Sequence, residues 1–169
     1  VYNIIKQHSG FIDVYSELGR GTSMNIFLPV SQSDGFSTQS PEAFEVLRGE
    51  GTILVVDDEP MMRKLSTGIL KECGYDIIVA RNGKEGVDKF RTHQQEIRAV
   101  LLDMVMPIMS GDDAFREMKQ IDKEVKVLLA SGFRKDERVE KIIAAGAKMF
   151  IQKPFTLEKL SRAIYQLLY

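Results

Sequence analysis

The chain has 169 residues, a formal net charge of −1, 44% hydrophobic and 28% charged residues, and one cysteine. That mixture is globular rather than disordered and carries no bulk attraction for nucleic acid or an anionic membrane. Cys73 alone excludes an intrachain disulfide framework and fits a reducing compartment. No apolar run approaches the roughly 18 residues of a membrane span, so the expected setting is the cytoplasm, with any membrane anchor on a parent chain. Val1-Tyr2-Asn3 reads as a start in mid-element, so the chain is expected to be a piece of a longer one.

Residues 1–7 read as the end of a helix, stopped near Gly10. Residues 11–17 and 22–28 alternate apolar and polar around Leu18-Gly19-Arg20-Gly21, a β-hairpin signal. A lone hairpin is marginal in water. It has too few partners to bury Ile12, Val14, Met24 and Ile26. Residues 1–30 are therefore expected to be the tail of a larger domain, and disordered or paired with another chain when severed from it. Residues 31–51 are polar and rich in turn formers, with room for one helical turn over residues 42–47. As a coil, a linker of about 20 residues has an r.m.s. span of roughly 25 Å.

From Thr52 the pattern becomes regular. Ile53-Leu54-Val55-Val56 is a buried strand ending on Asp57-Asp58, and Pro60 opens a helix carrying Met61, Leu65, Ile69 and Leu70 up to Gly74. Ile77-Ile78-Val79-Ala80 is a second strand, and Asn82 with Glu85 forms a capping box before Val87 and Phe90. Val100-Leu101-Leu102 is a third strand, ending on Asp103 before Pro107. Gly111 opens a helix with Phe115, Met118 and Ile121, and Val125 to Leu129 forms a fourth strand ending on Ser131. Val139, Ile142 and Ile143 mark a helix up to Gly146, and Met149-Phe150-Ile151 is a short fifth strand running into Lys153-Pro154. Thr156 caps a last helix with Leu157, Leu160, Ile164 and Leu167 on one face. The alternation predicts an α/β fold: a doubly wound five-stranded parallel sheet in flavodoxin-like order 2-1-3-4-5, preceded by a helix end and a hairpin.

In such sheets ligands bind beyond the carboxyl ends of the strands. There the pattern puts Asp57, Asp58, Asp103, Ser131 and Lys153. Clustered carboxylates repel, and take up protons or bind a cation. Hard oxygen ligands open to water suit Mg²⁺, and a lysine neutralises phosphate oxygens as a point charge. This is equipment for phosphoryl transfer, with a carboxylate as nucleophile. Asp57 and Asp58 are adjacent and suit the metal. Asp103 is single and central, which selects it as nucleophile. His8 and His93 read as structural, and Met104, Met106 and Met109 read as loop and core packing rather than a soft-metal site.

Residues 52–169 resemble the receiver domain of bacterial two-component response regulators. The matching pieces are Val55-Val56-Asp57-Asp58-Glu59-Pro60, Asp103 with Met106-Pro107 and Gly111, Ala130-Ser131-Gly132, and Gly146-Ala147 through Phe150 to Lys153-Pro154-Phe155. The resemblance implies a switch phosphorylated on Asp103 from a phosphohistidine. Mg²⁺, with Mn²⁺ as a substitute, would be held by Asp58, Asp103 and the Val105 carbonyl, and by Asp57 through a water. Ser131 and Lys153 would contact the phosphoryl group, Ser131 and Phe150 would act as the switch pair, and the Lys153–Pro154 bond would be cis. Two departures, the apolar Val105 and Phe133, suggest restricted water access and slow loss of the phosphoryl group. Lys148-Met149 departs from the acidic dimer face of one subfamily. A homodimer remains an open expectation.

Residues 1–30, through Ile4-Ile5-Lys6-Gln7-His8-Ser9-Gly10 and Gly19-Arg20-Gly21-Thr22-Ser23, are similar to the C-terminal end of a histidine-kinase ATP-binding domain, without its nucleotide-binding motifs. Together the two resemblances imply a fragment of a hybrid histidine kinase: residues 1–30 the kinase tail, 31–51 the linker, 52–169 the receiver. Partners would be a histidine kinase or a histidine-phosphotransfer protein, with no nucleic acid and no membrane contact. No effector domain is read after Tyr169, so output is expected through such a partner. Two other classes remain: a haloacid-dehalogenase-like phosphatase, which would want a carboxylate where Val105 stands, and a receiver-like interaction module that is not phosphorylated.

Overall fold

The inner strands from Thr52 onward have no polar face because both faces of the sheet are covered there. The computed structural model describes residues 2–30, 46–132 and 146–169. These fall into two units, one within Val1–Ala43 and one within Phe44–Tyr169.

The larger unit contains β3 (Thr52–Val56), α2 (Pro60–Glu72), β4 (Asp76–Ala80), α3 (Gly83–Thr92), β5 (Ile97–Asp103), α4 (Gly111–Ile121), β6 (Val127–Ser131), β7 (Met149–Gln152) and α5 (Leu157–Leu168). Its sheet has five strands in the order β4-β3-β5-β6-β7, all parallel, which is the order expected from the sequence. Alternate residues of each strand point to opposite faces. Ile53, Val55, Leu101 and Leu128 therefore join Ile69 and Leu70 of α2 and Leu160 and Ile164 of α5 in one core layer. Leu54, Val56, Val100, Leu102 and Leu129 join Val87 and Phe90 of α3 and Phe115 and Met118 of α4 in the other. The expected helix around Val139, Ile142 and Ile143 lies outside the described residues.

Local chemistry sets the helix starts. Asn82 Oδ1 accepts the Glu85 N–H at 2.9 Å, as a capping box requires, but the Glu85 carboxylate reaches back to the Arg81 N–H, one residue beyond the cap. The Ser110 hydroxyl accepts the Asp113 N–H at 3.2 Å and so caps α4. Thr156 caps α5 in the same way. α2 begins on Pro60 after Glu59, with no side-chain cap.

The smaller unit contains α1 (Tyr2–Gln7), β1 (Phe11–Glu17) and β2 (Gly21–Phe27), the strands pairing antiparallel with Ile12 opposite Ile26 and Val14 opposite Met24. The hairpin is formed, and Phe11, Val14, Met24, Ile26 and Phe27 along it are all exposed.

Residues 46–51 carry a feature that the sequence pattern does not reveal. Read as the end of a linker, they run along the edge of the larger unit instead. Val46 packs against the α2–α5 core layer. The Gly49 N–H donates to the Cys73 carbonyl at 2.9 Å, and the Glu50 N–H to the Tyr169 hydroxyl at 3.3 Å. Tyr75, 3% exposed, lies against this strap. Burial, with smaller contributions from nearby phenols, pushes its hydroxyl up to about 12. A Cβ on Gly49 would collide with the Tyr75 phenol. Gly49→Ala is therefore expected to destabilise the larger unit by about 1–3 kcal/mol through overpacking. A urea midpoint unchanged from wild type would show that the strap yields freely.

Candidate functional site

Strand order decides which loops meet. β3, β5, β6 and β7 lie side by side, so the residues just past their carboxyl ends share one crevice. Asp57 follows Val56, and its N–H extends the ladder to the Ala80 carbonyl at 3.2 Å. Asp103 is the last residue of β5 and pairs with Ala130. Ser131 ends β6, and its carbonyl accepts the Lys153 N–H at 2.7 Å, tying the two strand ends together. The Lys153–Pro154 bond is cis.

The side chains converge. Asp57, Asp58 and Asp103 each offer a carboxylate oxygen within 4.8 Å of the others. Lys153 Nζ stands 2.6 Å from Asp57 Oδ2 and 3.0 Å from Asp103 Oδ2. Asp57, Asp103 and Ser131 are buried, while Asp58 is exposed and opens the cluster to solvent. Asp57 uses its other oxygen, Oδ1, to accept the Glu59 N–H at 2.9 Å, an Asx turn that leads the chain into α2. Burial pushes the Asp103 carboxyl above its ordinary value. The Lys153 ammonium pulls it back, the Asp57 charge adds to the rise, and the Val105 N–H opposes it. The cluster holds only hard oxygen donors, with a buried ammonium already among them. That donor set suits a small, water-retaining divalent cation rather than one that seeks sulfur or imidazole.

The loop after Asp103 is tightly built. A Cβ on Gly111 would collide with the Asp103 carbonyl, so only glycine lets α4 start this close to the strand end. Ile108 has φ 71°, unusual for a β-branched residue, and its side chain is 81% exposed. The Val105 side chain also faces solvent. Phe133, the second apolar departure, lies outside the described residues. Phe150 is half-buried and lines a surface groove of ≈ 260 Å³ with Gln152, Lys159 and Arg162. Met104 and Met106 are buried in the core. His8 is exposed in the smaller unit, and His93 Nδ1 lies 3.5 Å from an exposed Glu96.

Residues 53–165 match the response regulator receiver domain. The chain belongs to the response regulator receiver family. Chemotaxis protein CheY of Bacillus subtilis is 37% identical over 113 residues, covering 66% of this chain and 92% of CheY. The structure of TrrA from Thermotoga maritima, solved with Mg²⁺ and beryllium fluoride, superposes with a TM-score of 0.62 at 32% identity, over 70% of this chain and 99% of TrrA. A receiver from Clostridium thermocellum superposes with a TM-score of 0.67 at 30% identity. Sensor kinase CckA of Brucella abortus is 32% identical over 176 aligned residues, which take in 99% of this chain but only 19% of CckA. The segment from 53 to 165 is thus a phosphorelay receiver domain, and the acidic cluster sits at the carboxyl end of its sheet. Among the described residues no helix is long and apolar enough to cross a membrane.

Two groups at this receiver's site escaped the sequence reading. One is the Glu59 N–H on Asp57, for which the Asp-x-x-Pro spacing was an available signal. The other is Arg63, whose guanidinium donates to the Asp57 main-chain carbonyl at 2.7 Å. No local pattern marks it.

The raised Asp103 pKa has a stability consequence. The folded chain holds the Asp103 proton more tightly than the unfolded chain. That contribution is full below the ordinary value of 3.8 and is lost as pH rises through the folded value. Asp103→Asn, which leaves Lys153 paired with Asp57, is expected to be more stable than wild type at pH 7. The gap should close as pH falls toward 4. Urea midpoints measured across that range check it, and a gap independent of pH would contradict the burial penalty.

Proposed function

We propose that this chain is the receiver end of a hybrid histidine kinase and that Asp103 accepts a phosphoryl group from a phosphohistidine. The convergence of Asp57, Asp58, Asp103 and Lys153 in one crevice carries the reading. In the transfer, a carboxylate oxygen of Asp103 attacks phosphorus, the N–P bond breaks, and its electron pair returns to the imidazole of the donor. Asp58, Asp103 and the Val105 carbonyl would hold Mg²⁺, with Asp57 acting through a water. When bound, the cation neutralises phosphoryl oxygens as charge shifts among them. Lys153 leaves its carboxylate partners for the incoming phosphoryl group, which is the stronger anion. Ser131 donates its hydroxyl to another phosphoryl oxygen, and Phe150 turns inward behind it. The exposed Asp58 leaves a path for a donor protein.

The hybrid-kinase part rests on the alignment with CckA, which runs through residues ahead of the receiver as well. Residues 1–30 are then the tail of a kinase ATP-binding domain and 52–169 the receiver, joined by a linker over 31–51 whose last residues, 46–51, pack on the receiver. The partners are a histidine kinase or a histidine-phosphotransfer protein, and the setting is the cytoplasmic side of any parent anchor.

Incubation with acetyl phosphate or phosphoramidate and Mg²⁺ tests the chemistry. The expected product is a stoichiometric acyl phosphate, absent in Asp103→Asn and absent when the cation is chelated. Continuous release of inorganic phosphate would favour a phosphatase, and no reaction would favour a non-phosphorylated module. The exposed Val105 side chain bears on lifetime. Val105→Asn places a group beside the phosphoryl site that can orient water, so the phosphorylated half-life is expected to shorten. An unchanged half-life would show that Val105 does not limit hydrolysis.

A further inference from the structure

Arg63 stands on the first turns of α2, six positions after Asp57, and is half-buried. Its Nη1 donates to the Asp57 main-chain carbonyl at 2.7 Å rather than to a carboxylate. None of the phosphoryl chemistry above uses it. The β3–β5 register ends at Val56 and Leu102, so the Asp57 carbonyl lies just past the last strand pair and is met there by a side chain.

We infer that Arg63 is a positioning residue for the cation site, fixing the loop that carries Asp57 and Asp58 by holding the Asp57 carbonyl. The inference rests on the reading of Asp58 and Asp103 as Mg²⁺ ligands, with Asp57 acting through a water. Residues 57–59 join β3 to α2. Asp57 is held at four atoms: its N–H by Ala80, Oδ1 by the Glu59 N–H, Oδ2 by Lys153 and its carbonyl by Arg63. Asp58 is exposed, so its place in the cluster follows from how firmly its neighbours hold the backbone. Arg63 ties that backbone to α2, whose own position is set by Ile69 and Leu70 in the core.

A guanidinium here acts on cation affinity in two opposite ways. As a positive charge it repels a divalent ion, and as a clamp it holds the carboxylates at a fixed spacing. Positioning prevails, because its bond goes to main chain and because Lys153, nearer the carboxylates, already dominates the local positive charge. Partners that orient metal ligands typically change affinity by about 10–100-fold when removed.

The experiment is calorimetric titration of the full 169-residue chain with Mg²⁺, comparing wild type, Arg63→Met and Arg63→Lys. Arg63→Met is expected to bind about tenfold more weakly, with its cation-free thermal midpoint near wild type, and Arg63→Lys to recover part of the loss. Binding in Arg63→Met as tight as wild type, or tighter, would overturn the inference, since tightening is the mark of lost repulsion alone. If Arg63→Met does not fold, Arg63→Gln makes the same comparison with the same two outcomes. Absence of Mg²⁺ binding by wild type would overturn the cation reading itself and this inference with it, a result distinguishable from an unchanged variant.

Discussion

Two buried carboxylates and a third at the rim cannot sit together without a counter-charge. Lys153 supplies it, 2.6 Å from Asp57 and 3.0 Å from Asp103. Its ammonium comes from beyond β7, at the edge of the sheet, and reaches across to the ends of β3 and β5. Removing one partner from a buried pair strands the other charge and typically costs about 3–5 kcal/mol. The pair therefore couples the position of the last strand to the chemistry of the first and third. It also leaves Asp103 above its ordinary pKa, because the lysine offsets only part of the burial penalty.

The two ends of the sheet do different work. At the carboxyl ends polar groups gather, and the backbone there is crowded: Gly111 touches the Asp103 carbonyl and the Asp57 carbonyl is taken by Arg63. Near the opposite end the chain enters through a strap, with Gly49 bound to Cys73 and Glu50 to Tyr169. Since Tyr169 follows α5, the entry of the larger unit is joined to the end of its last helix. The receiver begins, in packing terms, several residues before its first strand.

Much of this was legible because strand and helix periods differ and because both sheet faces are buried. Continuous apolar runs such as Ile53-Leu54-Val55-Val56 announce a parallel sheet, and strand order then assembles Asp57, Asp58, Asp103, Ser131 and Lys153 at one end. Cap residues Asn82 and Thr156 were readable because their chemistry is local. The strap was not: Gly49 and Glu50 look like turn formers, and their partners Cys73 and Tyr169 lie far along the chain. Arg63 was hidden for a similar reason. An arginine on a helix reads as a solvated charge until the loop it bonds is in place.

The sequence by itself determined the sheet order, the residue types at each strand end and the likeness to a receiver, since these follow from periodicity, charge and short motifs. Only the tertiary structure decided how the charges are shared: that Lys153 bridges Asp57 and Asp103, that Asp57 divides its oxygens between Lys153 and a backbone N–H, and that Asp58 alone faces solvent. Pairing among buried groups depends on ångström-scale distances between elements far apart in the chain. No local pattern of residues carries that information.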